Sequence, residues 1–394
     1  MVRTARWIGL ALDWVIATGV GYTVSLHQAS RAGRDLDVYL AGARLLTDGD
    51  LYAYSNNRGL GFTYPPFAAV VFRPLEWLSR EAGLQAARLV MVALLGAAMV
   101  VIVRCALRSV PAGSPDWLAR TWVSPLVTGL ASVSTVAVDG MHVLNLSLVL
   151  TAMVVLDHLG PVSPRWRGVL TGGAAAVKLT PFAFVLLFAL TGRVREAARA
   201  TAVFVAVTGA CWLLYGNEST DYWTSALWKA DRVGEVTSRA NTALAGVWAR
   251  AGHEQTALWV SCAAVVLAAS YGVAVAYRRD RLVGVAVVGL MTASVPPLTW
   301  SHHWGWAVVA GVVVLAVWGP IWAVVWSAPF WALPWLRPVL STQLPEPGWG
   351  RALLGGWPSI WFVALLVVLV VSSRNRCDPA RSGPLALPHD HHPG

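Results

Sequence analysis

The sequence predicts an all-α, polytopic membrane protein, and three observations predict it. Of 394 residues, 56% are hydrophobic and only 13% are charged, where soluble proteins average about 25% charged. Apolar runs of membrane-spanning length recur between residues 7 and 371, and mean hydropathy is +0.57. The arginines gather in short clusters between those runs, as they do in cytoplasmic loops. A disordered chain, a secreted disulfide scaffold and an ordinary cytosolic enzyme are excluded. The net charge of +10 is no sign of nucleic acid, because no long basic patch exists. It points to membrane-lipid headgroups instead. Four cysteines (Cys105, Cys211, Cys262, Cys377) lie far apart without a C-x-x-C pair, so neither a disulfide framework nor a zinc site is expected.

The elements follow in order. Arg3 and Arg6 precede the apolar run 7–24, which makes it an uncleaved first helix with a cytoplasmic N-terminus. Asp13 inside that run is expected to pair with a neighbouring helix. Residues 25–66 form a first external loop. The stretch 65–78 is short and contains Arg73, Pro74 and Glu76, so it is read as an interfacial or re-entrant segment on the external face. Residues 84–103 return the chain to the cytoplasm at Arg104, Arg108 and Arg120. Spans at 121–138 and 143–159 are joined by an external turn, Asp139-Gly140-Met141-His142.

The run 168–190 has basic flanks on both sides, Arg165 and Arg167 before it and Arg193, Arg195 and Arg199 after it. A pair of half-helices meeting near Lys178-Leu179-Thr180-Pro181 keeps both flanks inside, and Pro181 favours the break. A single crossing is the alternative. After a span at 201–214 comes a second external loop, 215–255, then spans at 256–277, 282–295, 304–318, 321–335 and 353–371. Arg374 and Arg376 place the C-terminus in the cytoplasm. The count is ten full spans plus the half-helix pair, so 10–12 membrane helices with external juxtamembrane helices. Residues 1–376 form one domain; the proline-rich tail 377–394 is expected to be disordered and cytoplasmic.

Cytoplasmic loops this short hold no nucleotide-binding unit, and no phosphate-binding glycine loop is present. Chemistry is therefore expected on the external side. The first loop carries Asp35, Asp37 and Tyr39 on a short amphipathic helix ending near Asp48-Gly49-Asp50, and closes with Tyr64 before Pro65-Pro66. A carboxylate against an apolar membrane surface becomes more basic, which suits a general base; plain solvation or helix capping is the ordinary alternative. The second loop holds Arg239 and Asn241, a pairing suited to sugar hydroxyls and phosphate. A third place is Trp300-Ser301-His302-His303-Trp304. Adjacent histidines project in different directions and make a poor metal chelate, but they suit a sugar or phosphate pocket. An aromatic belt is the alternative there. Lys178, deep in an apolar run, either meets a lipid phosphate or a helix-end carbonyl.

These places occur in a familiar order: D-L-x-V-Y with A-x-x-L-L (Asp35 to Leu46), L-Y, F-T-Y-P-P-F, then G-M-H-x-L-N (Gly140 to Asn145). K-L-T-P (Lys178 to Pro181), S-R-A-N-T-A-L-A-G (Ser238 to Gly246) and W-S-H-H-W (Trp300 to Trp304) complete it. Together they resemble the polyprenyl-phosphate-mannose-dependent α-1,2-mannosyltransferases, GT-C membrane glycosyltransferases that include the actinobacterial phosphatidylinositol mannoside enzymes. The chain departs from the family's common G-Q-x-N at Met141-His142 and from its N-Q-S-L at Thr242-Ala243, losing a glutamine each time.

The resemblance implies a GT-C fold in a bacterial plasma membrane, with the active site on the periplasmic side. It implies an inverting transfer of mannose from polyprenyl-phosphate mannose to a glycolipid acceptor, a phosphatidylinositol mannoside or lipomannan. Asp35 is the implied base, with Asp37 the second choice. His302 or His303, then Arg239, Lys178 and Asn241, are implied to hold donor phosphate and sugar; Tyr39, Tyr64, His142 and Trp300 line the acceptor pocket. No cofactor and no metal are implied, although Asp35-Leu36-Asp37 spells the D-x-D of metal-dependent relatives. A decaprenyl-phosphate-arabinose-dependent arabinofuranosyltransferase of the same fold is the near alternative. From another class comes a polyprenyl-lipid flippase; the acids gather outside and no clear internal repeat is seen, which favours the enzyme.

Overall fold

The computed structural model describes residues 2–27, 33–47, 50–56, 59–111, 113–229, 232–253, 256–342 and 348–377. Beyond Cys377 the expected tail lies outside them, as do Asp48 and Gly49 of the first loop. The chain runs α1 Val2–His27, α2 Arg34–Leu45, α3 Pro66–Ala82, α4 Leu84–Arg108, α5 Val123–Ser132 and α6 Thr135–Val143. It continues through α7 Ser147–Leu159, α8 Val169–Val177, α9 Ala183–Leu190, α10 Val194–Leu214, α11 Gly216–Thr224 and α12 Leu244–Arg250. Last come α13 Thr256–Ala276, α14 Arg281–Ser294, α15 Trp306–Trp318, α16 Pro320–Thr342 and α17 Trp349–Cys377. Among the described residues the only extended pairing is one antiparallel bridge, Ser55 with Gly61.

This is a multi-pass membrane protein. Five of the described helices are long and apolar enough to cross a membrane by themselves: α4, α10, α13, α17 and the stretch Ser301–Trp318. The bent pair α5–α6 makes a sixth if counted as one span, and α1, α7, α9 and α14 contribute shorter apolar stretches. α1 packs on α4 through small residues. A side chain on Gly96 would meet Thr18 Cγ2 at 2.5 Å, so glycine is what lets the two helices close. Asp13, fully buried, accepts from Arg104 Nε at 2.6 Å and Ser124 Oγ at 2.7 Å. Arg104 is thus held inside the helix pair rather than in a loop beyond α4. Removing one partner of such a buried pair costs roughly 3–5 kcal/mol.

Two details bear on the site. The Asp139–His142 turn read from the sequence is helical; it lies within α6. The bend falls earlier, at Val133–Ser134, where α5 and α6 meet at 62°. There Ser134 leaves helical geometry, and its hydroxyl donates back to Ala131 O at 2.6 Å. Asp-Gly signals a turn only where the chain must reverse, and here the reversal waits for Leu144.

The second detail is the α8–α9 pair. Asp157, near the end of α7, accepts the backbone N–H of Gly168 at 2.8 Å, and its neighbour His158 stacks on Phe188 at 3.7 Å. Both ends of the 168–190 stretch therefore lie beside the same turn of α7. A straight helix of that length would separate them by roughly 30 Å. The stretch is a pair of half-helices with Lys178 at its tip, where φ −148° and ψ 130° interrupt the helix.

Candidate active site

Helix α2 starts from Gly33, whose φ of 78° suits glycine and whose N–H donates to His142 O at 2.9 Å. One face of α2 (Leu36, Leu40, Ala43) is buried, and Val38 on the opposite side is buried as well. Tyr39 stacks on Phe72 of α3 at 4.2 Å, and its hydroxyl lies 3.0 Å from that of Tyr64. That packing fixes the rotation of α2 and with it the first turn. Residues two apart on a helix face different ways, and so it is here. The Asp35 side chain is only 18% exposed, whereas Asp37 is exposed. The D-x-D acids do not converge, and among the described residues no three His, Cys, Asp or Glu side chains gather as a ligand set.

Asp35 is held by Asn145, the last residue of the G-M-H-x-L-N motif. Leu144 sits at φ 55°, the one non-glycine with positive φ among the described residues, a strained geometry that bulky residues avoid. It turns the chain so that Asn145 N–H donates to Gly140 O at 2.9 Å, while Asn145 Oδ1 accepts from Ser147 N–H at 2.8 Å. The Asn145 amide is thereby aimed at Asp35, donating from Nδ2 to Oδ2 at 2.6 Å. Arg34 Nε lies 3.3 Å from the other oxygen. Burial holds the Asp35 carboxyl above the ordinary value near 3.8, against the pull of Asn145, Arg34 and Lys178. Burial and the nearby Asp35 charge push the Tyr64 phenol up to about 12, so it stays neutral.

The histidines sit on a 3₁₀ turn, Ser301–Gly305, ahead of α15. Ser301 donates to the Asp139 carboxylate of α6, and Trp304 Nε1 donates to Thr242 Oγ1 at 2.9 Å, so the turn is pinned on two sides. The two imidazoles meet edge to face, centroids 4.5 Å apart, and do different things. His302 is buried; its Nε2 has no hydrogen-bond partner and lies 4.0 Å from Asp35 Oδ2. His303 Nδ1 accepts the backbone N–H of Trp300 at 3.2 Å, and its Nε2 lies 3.1 Å from Lys178 Nζ. With Nδ1 accepting, a neutral His303 carries its proton on Nε2. Lys178 and His303 then offer N–H donors to one place, which suits a phosphate oxygen. Lys178 Nζ also stands 5.3 Å from the Tyr64 ring centre. A cavity of about 80 Å³ opens beside the pair, lined by Lys178, Pro181, Phe184, His303 and Trp306 among others.

The structure thus brings together Asp35, Tyr39, Tyr64, Lys178, His302 and His303. His142 is buried at the end of α6 and reaches α2 through its carbonyl. Trp300 joins through its backbone N–H and lays its ring against Gly234 of the second loop. Arg239 is exposed at the surface of that loop. Asn241 needs a correction. It is fully buried, and its amide donates to Val236 O and Pro297 O, both at 2.9 Å. Its oxygen accepts from Ala243 N–H and Thr299 N–H, both at 3.1 Å. All its capacity goes to backbone, so it is a clamp tying the second loop to the segment before Trp300, not a sugar contact.

A half-buried carboxylate and a pair of phosphate-directed donors, set beside membrane helices, fit glycosyl transfer from a lipid phosphate. Residues 62–297 match the model of glycosyltransferase family 87. The chain belongs to glycosyltransferase family 87. The matched stretch of this glycosyltransferase contains Tyr64, Asn145 and Lys178; Asp35 precedes it and the histidines follow it. A relative from Mycolicibacterium smegmatis is 30% identical over 94% of this chain and 88% of its own length. It is named a polyprenol-phosphate-mannose-dependent alpha-(1-2)-phosphatidylinositol mannoside mannosyltransferase. One from Mycobacterium tuberculosis with the same name is 30% identical over 96% of this chain and 95% of its own. A second M. smegmatis relative, named for phosphatidylinositol pentamannoside, is 31% identical over 70% of this chain and 67% of its own. No solved structure matches.

Proposed function

We propose that this glycosyltransferase moves mannose from polyprenyl-phosphate mannose to a phosphatidylinositol mannoside or lipomannan acceptor, in α-1,2 linkage, on the external membrane face. The single observation carrying the reading is the half-buried Asp35 carboxylate, fixed by Asn145 and set beside the Lys178–His303 donor pair. The relatives' names favour mannose over arabinofuranose and an enzyme over a flippase.

The acceptor hydroxyl gives its proton to Asp35 as its oxygen attacks the anomeric carbon. The bond from that carbon to the phosphate oxygen breaks, and its electron pair leaves with polyprenyl phosphate. Attack opposite the leaving group turns a β-linked donor into an α-linkage. Phosphate departs without a strong acid, so one base suffices. Lys178 and the Nε2–H of His303 bear the charge that develops on it. Asp35 acts without a metal ion, and transfer persists in chelator.

Sidedness is part of the proposal. Asp35, Lys178 and His303 lie at one end of α7–α9, and Arg167 and Arg193 lie at the other. The positive-inside rule makes the arginine end cytoplasmic, together with both termini. Ala53 is exposed in the first loop, so a cysteine there is expected to react with an impermeant thiol reagent in intact cells. Labelling only after lysis contradicts the external site. Donor choice is tested with purified protein given mannosyl- or arabinofuranosyl-phosphoprenol beside a phosphatidylinositol mannoside. Mannose alone should transfer; arabinose transfer would replace this reading with the arabinofuranosyltransferase.

A further inference from the structure

Both feet of the half-helix pair stand in a basic cluster at the end of α7 opposite the candidate active site. Phe188 is fully buried; the His158 ring stacks on it at 3.7 Å, and the Arg193 guanidinium lies 4.4 Å from its centre. His158 is 2% exposed and its Nε2 has no hydrogen-bond partner; Arg193 Nη2 is buried without one as well. Arg193, Arg281 and Arg167 all bring positive charge to the same imidazole. Hydrogen bonds hold the cluster in place. Arg167 donates to Val162 O at 3.0 Å and Gly160 O at 3.3 Å, and Arg199 donates to Pro164 O at 3.0 Å and to the Arg167 carbonyl.

Asp157 and Glu196, the acids beside His158 and Arg193, are already engaged. Asp157 accepts from Gly168 N–H, Thr171 N–H and the Thr171 hydroxyl, and Glu196 faces Arg193 Nε at 3.3 Å. The Arg193 guanidinium against Phe188 feels the positive charge of Arg281 and Arg167, and a buried donor without an acceptor costs stability. An anion between them relieves both. Beside the cluster Leu186, Leu190 and Val194 are 44%, 44% and 64% exposed, an apolar wall next to the charge. A free phosphate uses only the charge; a phosphate carrying hydrocarbon uses both.

We infer that Arg193, Arg281, Arg167 and His158 form a binding site for the phosphate of an anionic membrane lipid, distinct from the substrate site at the other end of the same helices. The headgroup ties together the segments where the half-helix pair enters and leaves, and so braces the tip that carries Lys178.

The test uses the purified full chain in nanodiscs of phosphatidylcholine alone or with phosphatidylglycerol, read by thermal midpoint and by native mass spectrometry of retained lipid. Wild type is expected to retain phosphatidylglycerol about ten-fold over phosphatidylcholine, the scale of one or two charge-assisted hydrogen bonds, and to melt higher in its presence. Arg193→Gln and Arg281→Gln should lose both effects. Arg281 is exposed, so its variant keeps the test open if loss of Arg193 prevents folding. Equal retention in wild type and variants overturns the inference. So does an equal rise in midpoint from inorganic phosphate in phosphatidylcholine discs, which identifies a free-anion site. No transferase activity is read, so this result stands apart from the proposed reaction.

Discussion

The Asp35 carboxylate and the His302 imidazole face each other at 4.0 Å with no hydrogen bond between them. That spacing is too long for a bond and short enough for one oxygen to bond to both, at about 2.8 Å from each. On the proposed mechanism, an acceptor hydroxyl placed there would be oriented by His302 and deprotonated by Asp35. The neighbouring histidine faces Lys178 instead. On that mechanism, two adjacent residues on one tight turn would serve two substrates.

Asp35→Asn keeps the shape of the carboxylate and removes its basicity. Transfer is expected to fall by about 10²–10⁴-fold, the usual worth of a general base, with an unchanged melting temperature. Asp37→Asn, on the exposed side of α2, should stay within a few fold of wild type. Initial rates beside thermal melts check both. Full activity in Asp35→Asn would move the base elsewhere.

The pH profile follows from the same group. With Asp35 as the base, the reaction needs its ionised form, and burial holds that carboxyl above the ordinary 3.8. Activity should therefore be present at neutral pH and be lost as pH falls through that raised value. Asn145 donates to the ionised form and lowers it, so Asn145→Ala should shift the acid limb to higher pH. An unmoved limb would make Asn145 merely structural.

Lys178→Met and His303→Ala should each reduce donor use by about 10²–10³-fold, the scale for one lost oxyanion donor. His302→Ala should weaken acceptor use more than donor use. Separate titrations of each substrate measure the split. Equal losses for both substrates in all three variants would argue for packing roles.

Asn241→Ala leaves four backbone groups without a partner, at roughly 1–3 kcal/mol for each that stays buried. The melting temperature should drop by several degrees while the protein that remains folded keeps its donor KM. Arg239→Ala, at an exposed position, should change the melt little. A raised donor KM with an unchanged melt would restore Asn241 as a sugar contact.

Much of this fold is legible in residue order, because a membrane segment must satisfy its own backbone and so declares itself by hydropathy. Basic flanks on both sides of 168–190, with Pro181 inside, indicate the half-helix pair, and the amphipathic helical pattern from Arg34 indicates α2. The role of Asn145 is not legible that way. It depends on the left-handed Leu144, and nothing in a leucine signals that geometry. Asn241 misleads for the converse reason: an asparagine between arginines looks like a sugar binder, and only tertiary contacts show its amide fully engaged. Asp139-Gly140 looks like a turn because local propensity is weak against the packing that keeps α6 helical.

Wild type and Asp35→Asn, run side by side, decide whether Asp35 is the base. Each receives mannosyl-phosphoprenol and a phosphatidylinositol mannoside, with and without chelator. Mannose transfer by wild type is expected to ignore chelator and to disappear in the variant. Transfer that survives Asp35→Asn, or that stops on chelation, would contradict a metal-independent mechanism with Asp35 as its base.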